Sequence, residues 1–292
     1  MTFFEKYNQF FLLHFIVLLF GLTGILGKLI DLDSYLLVWA RIGVAIIGII
    51  IYFLITKTKV KIDLKILPQL IFAGIIIALH WITFFEAIKV SNVAIALATF
   101  SASTLFTAIL DPIYNRRRII LYEIILGLII IGAILMIFNI DFNYKKGILL
   151  SLFSSFLASW FTVLNGKFIK RAPAKIISFY ELLTAFIFLS VGLLFVPLES
   201  SLTDLTFIKI NYLLILGLLC TSFAFIASVA IMKTISAYTV TMTVNLEPIY
   251  SILLALVIWP ITEKMPALFY ISFTIILMCL FLNAYLKKKY PV

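Results

Sequence analysis

The chain has 292 residues, 64% of them hydrophobic and 12% charged, with a mean hydropathy of +1.20. That composition excludes a soluble globular domain of this length and indicates a polytopic membrane protein. The formal net charge of +10 does not point to nucleic acid, because the lysines and arginines sit in short runs between apolar blocks instead of on one basic face.

A helix that crosses the hydrocarbon core needs about 20 mostly apolar residues. Such blocks recur at 10–28, 35–56, 66–88, 91–114, 119–139, 147–169, 175–197, 210–233, 238–259 and 267–286, which gives ten expected transmembrane helices. The first block, FFLLHFIVLLFGLTGILG, is too long for a signal-peptide core and lacks a small-residue cleavage site, so it reads as a retained span. Most connections are short, which makes consecutive helices antiparallel neighbours. The longest polar break, PLESSLTDLTFIKIN, separates the seventh and eighth spans.

Cytoplasmic loops carry the excess of lysine and arginine. With the N-terminus placed inside, sixteen of these residues fall on the cytoplasmic side and six outside, leaving Arg41 within a span. Both termini are therefore expected in the cytoplasm, in agreement with an even number of spans.

The ten spans also read as two copies of five. GILGKLI (24–30) closes the first span and VLNGKFI (163–169) closes the sixth, so Gly27 and Lys28 answer Gly166 and Lys167. EAIKVSNVAIA, between the third and fourth spans, is echoed by AIMKTISAYTVT between the eighth and ninth. An odd number of helices per copy forces the second copy upside down. Inverted repeats of this kind place a solute site near the midplane between the halves. The expected division is residues 1–144 and 145–292, within a single integral membrane unit.

Ionisable groups inside a span are costly, so they face a cavity or a partner. Arg41, in LVWARIGVAII, can snorkel outward, pair with Glu86 at the outer end of the third span, or attract an anionic group of a solute. His80 and Trp81 lie midway along the third span. There they offer a hydrogen-bonding ring and a flat apolar wall to a solute, or a bond to a neighbouring Ser or Thr. Asp111, Glu123 and Glu181 lie nearer the cytoplasmic ends of their spans, where Lys and Arg are plentiful, and read as interface anchors. Glu247, in TMTVNLEPIYSIL, falls near the midplane of the ninth span. Pro248 beside it removes a backbone donor and disfavours helix at Glu247, so a kink is expected there, with Asn245 two residues earlier to satisfy freed groups or face the cavity. Two readings stand for Glu247. It lines the solute path or titrates as a proton-coupling group, or else it pairs with Arg41 or caps the broken backbone.

Enzyme signatures are missing from the sequence. His14 and His80 sit on different spans without an H-E-x-x-H arrangement, so no metal site is expected. No P-loop and no G-x-S-x-G elbow occurs, so neither ATP-driven pumping nor acyl-transfer chemistry is indicated. Cys220 and Cys279 fall inside spans as small apolar groups. No cofactor is expected.

The stretch TVTMTVNLEPIYSILLALVIWPITEK (239–264) resembles the ninth-span pattern of the EamA family of the drug/metabolite transporter superfamily, ending at the acidic Glu263. WARIGVAIIG, FFEAIKVSNVAIAL, SWFTVLNGKFIKR and SFYELLTAF extend the resemblance over nearly the whole chain. Three features depart from the pattern. Phe20-Gly21 stands where Trp-Gly is usual, Ser103 or Thr104 stands where a proline is usual in the fourth span, and NRRR replaces the glycine-glutamate that ends the first half.

The resemblance implies a bacterial inner-membrane carrier of small metabolites, with a central cavity and rocking halves. Carried onto this chain, the cavity candidates are His80, Trp81, Thr99, Ser103, Ser155, Trp160, Phe223, Asn245 and Glu247, with Gly21, Gly24 and Gly166 allowing close approach or bending. The leading expectation is secondary transport of amino acids or related metabolites, outward or by exchange, and proton coupling is one of the two readings left open for Glu247. The expected partners are a small solute and membrane lipid, and a monomer or a homodimer fits equally. Uptake or exchange of a nucleotide-like or cofactor-like metabolite, and flipping of a lipid or polyprenyl carrier, are the alternatives.

Overall fold

A computed structural model describes residues 3–116, 118–138, 144–261 and 265–289. Arg117 and Lys264 of the charge count, and Glu263 of the family pattern, lie outside them. Every regular element among the described residues is helical. The first half contains α1 (Phe3–Ile30), α2 (Ser34–Ile55), α3 (Leu67–Val90), α4 (Val93–Phe100), α5 (Ser103–Asn115) and α6 (Leu121–Phe138). The second contains α7 (Lys145–Phe168), α8 (Ala174–Gly192), α9 (Phe207–Gly217), a π-helical turn at Leu218–Phe223, α10 (Ala224–Ile231), α11 (Ala237–Val244), α12 (Glu247–Ile258) and α13 (Ala267–Lys289).

Eight apolar stretches among the described residues are long enough to cross a membrane, and α6 and α13 carry shorter apolar segments. Together they form the ten-span, two-repeat bundle that the hydropathy predicts. Three spans are interrupted. The fourth is α4 and α5, the eighth is α9, the π turn and α10, and the ninth is α11 and α12.

The interruptions in the fourth and ninth spans are made alike. Asn92 caps α4 by accepting the Ile95 amide at 2.8 Å, and Ser236 caps α11 by accepting the Thr239 amide at 3.2 Å. Each cap satisfies an amide that a helix N-terminus leaves unpaired. Each helix then runs eight residues before the ladder tightens. At the first break the Ala102 amide reaches back three residues to Thr99 O and Leu105 to Ala102 O. At the second, Leu246 reaches Thr243 O and Ile249 reaches Leu246 O. These are 3₁₀ turns, frequent at helix ends. Pro248 then falls in the first turn of α12, where a missing N–H costs nothing. The kink expected at Glu247 is thus a helix start.

Packing sets these breaks at the centre. α3 lies along α7 and α8, α1 packs on α12, α4 on α7 and α12, and α5 on α7, while α6 and α13 pair with each other. Gly21 allows the close approach of α1. A Cβ there would stand 3.1 Å from Ser251 Oγ and 3.3 Å from Tyr250 Cβ, and the Ser251 hydroxyl donates to the Gly21 carbonyl at 2.7 Å. Lipid-facing side chains stay apolar, so hydropathy finds the spans without showing which face of each turns inward.

Candidate functional site

Where the two halves meet at the breaks, the bundle encloses a cavity of about 100 Å³. Its wall draws on both halves. Phe20, Thr23, Arg41, His80, Trp81, Phe84, Phe100 and Ser103 come from the first; Ser159, Phe161, Thr162, Asn165, Phe225, Ser228, Thr241 and Glu247 are among those from the second. Internal correspondence organises this wall. The register that aligns the caps Asn92 and Ser236 also aligns Trp81 with Phe225 and Ser103 with Glu247. The register that aligns Gly27 with Gly166 aligns Phe20 with Ser159 and Thr23 with Thr162. Trp81 and Phe225 meet edge to face, with ring centroids 6.1 Å apart.

Arg41 is 1% exposed. Its Nε and Nη2 both donate to Thr221 Oγ1, at 2.9 and 2.7 Å, and that hydroxyl passes its own proton to Leu216 O at 2.7 Å. The Leu216 carbonyl lies five residues before Thr221, so this bond ties the π turn to the end of α9. The guanidinium carbon sits 4.5 Å from the Trp81 ring centroid and 5.3 Å from that of Phe85, within cation–π range. Glu86, the expected charge partner, is engaged elsewhere: it accepts from the Ser34 hydroxyl at 2.9 Å and lies 3.7 Å from Lys146 Nζ. Arg41 therefore points into the bundle instead of along α3.

His80 is held by Ser154 of α7. Nδ1 lies 3.0 Å from the Ser154 carbonyl, which can only accept, so that nitrogen carries the proton. The Ser154 hydroxyl, 2.8 Å from Nδ1, donates to His80 O at 3.0 Å. The ring lines the cavity among those of Trp81, Phe84, Phe100 and Phe161, at centroid distances of 5.5–6.4 Å. The bond to a neighbouring serine is present, and the same residue lines the cavity.

Glu247, 5% exposed, opens α12 and so stands at the positive end of that helix. It and Arg41 act on each other electrostatically, yet no ion pair joins them among the described residues. Asn245, two residues earlier, is fully buried and does not line the cavity. It accepts from Ser103 at 2.9 Å and donates to Thr104, binding the ninth-span break to the fourth. The Ser159 hydroxyl bonds the Ser103 carbonyl at 2.9 Å from the other side.

Of the candidates named from the sequence, His80, Trp81, Ser103, Glu247 and Arg41 line the cavity together. Thr99, Ser155 and Asn245 are buried outside it, the Ser155 hydroxyl being turned back onto Leu152 O at 2.8 Å. Trp160 donates its indole N–H to the Tyr114 hydroxyl at 2.7 Å, away from the cavity. Phe223 is 43% exposed and meets Phe15, whereas Phe225, two residues on and so on the opposite side of the helix, lines the cavity. Asp111, Glu123 and Glu181, read as interface anchors, are all buried inside the bundle, Glu181 accepting from Asn165 at 3.2 Å. Asn165 and Phe225 went unnamed in the sequence reading, although the repeat register could have found Phe225 from Trp81.

Residues 9–139 and 145–285 each match the model of the EamA-like transporter family. The chain belongs to that family. Membership in the EamA-like family makes it a multi-pass membrane transporter of small solutes, in contact with membrane lipid. A solved structure described as "Crystal structure of protein" is similar to it, with a TM-score of 0.70 at 16% identity over 96% of this chain and 98% of the other. That likeness concerns the fold alone. No curated protein matches the sequence.

Proposed function

We propose that this EamA-like protein moves small organic metabolites, amino acids or related compounds, outward or by exchange, through alternating access in the cell's inner membrane, with both termini in the cytoplasm. The supporting observation is the cavity itself. It is bounded by both halves, sits at paired helix breaks, and contains a buried arginine, a carboxylate and an aromatic wall. Its volume of about 100 Å³ suits a small solute better than a lipid chain. Rocking the two halves about the joined breaks would open it alternately to either side.

Reconstitution of the purified chain into liposomes, followed by uptake of a panel of labelled amino acids, nucleotides and lipid analogues, tests this reading. Saturable flux of at least one amino acid is expected. Lipid scrambling without any saturable solute flux would overturn it.

A further inference from the structure

Among the described residues Arg41 is the only lysine or arginine in the buried set. Its surroundings satisfy the guanidinium on three sides only. The ring of Trp81 covers it, Phe85 lies near, and one edge is taken by a hydroxyl, Thr221 Oγ1. Nη1 is buried without a hydrogen-bond partner. A buried guanidinium normally meets a carboxylate in a two-pronged contact, because a hydroxyl does not offset the charge. Glu247 shares the cavity but makes no ion pair with it.

We propose that Nη1 of Arg41 is the anchor for a carboxylate on the transported solute, and that the solute's body is apolar or aromatic. The inference rests on the carrier reading above and narrows its substrate class. The rings of Trp81, Phe84, Phe100, Phe161 and Phe225 supply the apolar wall that such a body would meet. A carboxylate would add one negative charge beside Arg41 and Glu247, the two oppositely charged groups of the wall. A phosphate dianion would add two charges beside Glu247 against a single cation. Thr221 is a positioning residue, holding the guanidinium through Nε and Nη2 and leaving Nη1 without a partner.

Isothermal titration of the purified full-length protein with four matched probes tests this: 3-phenylpropionate, phenylalanine, phenylalaninamide and phenethylamine. The two carboxylates are expected to bind at least tenfold more tightly than the amide and the amine. Arg41→Gln should erase that preference, and Arg41→Lys, which keeps the charge but not the planar fork, should retain part of it. Should either variant fail to fold, Thr221→Val leaves Arg41 in place and should weaken the two carboxylates while leaving phenethylamine unchanged. Equal affinity across the four probes, no binding by either carboxylate, or a preference that survives Arg41→Gln would overturn the proposal. Flux in the same preparations separates the two claims. Saturable transport of a solute without an anionic group would sink the carboxylate anchor and leave the carrier standing, whereas carboxylate binding without any flux would do the reverse.

Discussion

Asn245 accepts a hydrogen bond from Ser103 and donates one to Thr104, so the broken helix of one half is fastened to the broken helix of the other. All three residues are buried. Removing the amide leaves buried hydroxyls without a partner, which costs about 1–3 kcal/mol. Asn245→Ala should therefore lower the thermal unfolding midpoint in detergent, and Ser103→Ala should lower it less. An Asn245→Ala protein that melts with the wild type would show that the breaks are held by packing alone.

A second link between the halves lies outside the spans. Asp33 accepts the amides of Glu199 and Ser200 at 2.9 and 2.7 Å and the Ser200 hydroxyl at 2.7 Å. Partial burial pushes the Asp33 pKa up, but the Ser200 hydroxyl, the two amides and the Lys89 charge outweigh it and hold the carboxyl below its usual 3.8. A carboxyl with a depressed folded pKa contributes stability that is fully present above its unfolded value and lost as pH falls through the folded one. Wild type should lose part of its stability as pH falls below about 4. Asp33→Asn should melt lower at pH 7 and show a shallower acid-side decline. Parallel curves for the two proteins from pH 7 to 3 would refute the assignment.

Glu247 opens a helix and faces the cavity without an ion pair, so its role is expected to be in transport instead of in bracing the fold. Glu247→Gln should keep the melting temperature within a few degrees and flatten the pH dependence of solute flux in liposomes. A pH profile identical to wild type in the folded variant would exclude proton coupling through this residue.

The π turn gives a paired test of which face of the eighth span matters. Phe225→Ala should weaken solute binding at least tenfold by opening the wall opposite Trp81. Phe223→Ala, half-exposed on the other side, should change affinity less than twofold. Titration with the probes above measures both, and equal effects would contradict the cavity wall described here.

Much of the fold could be read in the sequence because apolar length and lysine-arginine placement are properties of the chain itself. The break at Glu247 was visible for a local reason, since Pro248 cannot continue a ladder. Its counterpart at Ser101–Ala102 contains neither proline nor glycine, and was hidden. The inward face of each helix was harder still, because its rotation depends on neighbours. Arg41 shows this, turned towards Thr221 when sequence spacing also allowed Glu86. Phe223 shows it again, turned outward while Phe225, two residues on, faces the cavity. Asn165 and the serines that line the cavity look no different in sequence from those that merely pack.

The π turn has a further consequence. Its counterpart, α3, runs unbroken from Leu67 to Val90, and the position matching Thr221 is Ile77. Only one half can therefore receive the guanidinium of Arg41. Inverting the molecule about its internal symmetry does not reproduce itself at this point. Under the proposed alternating access, the two states would hold the guanidinium differently, and a carrier working this way would favour one open side over the other.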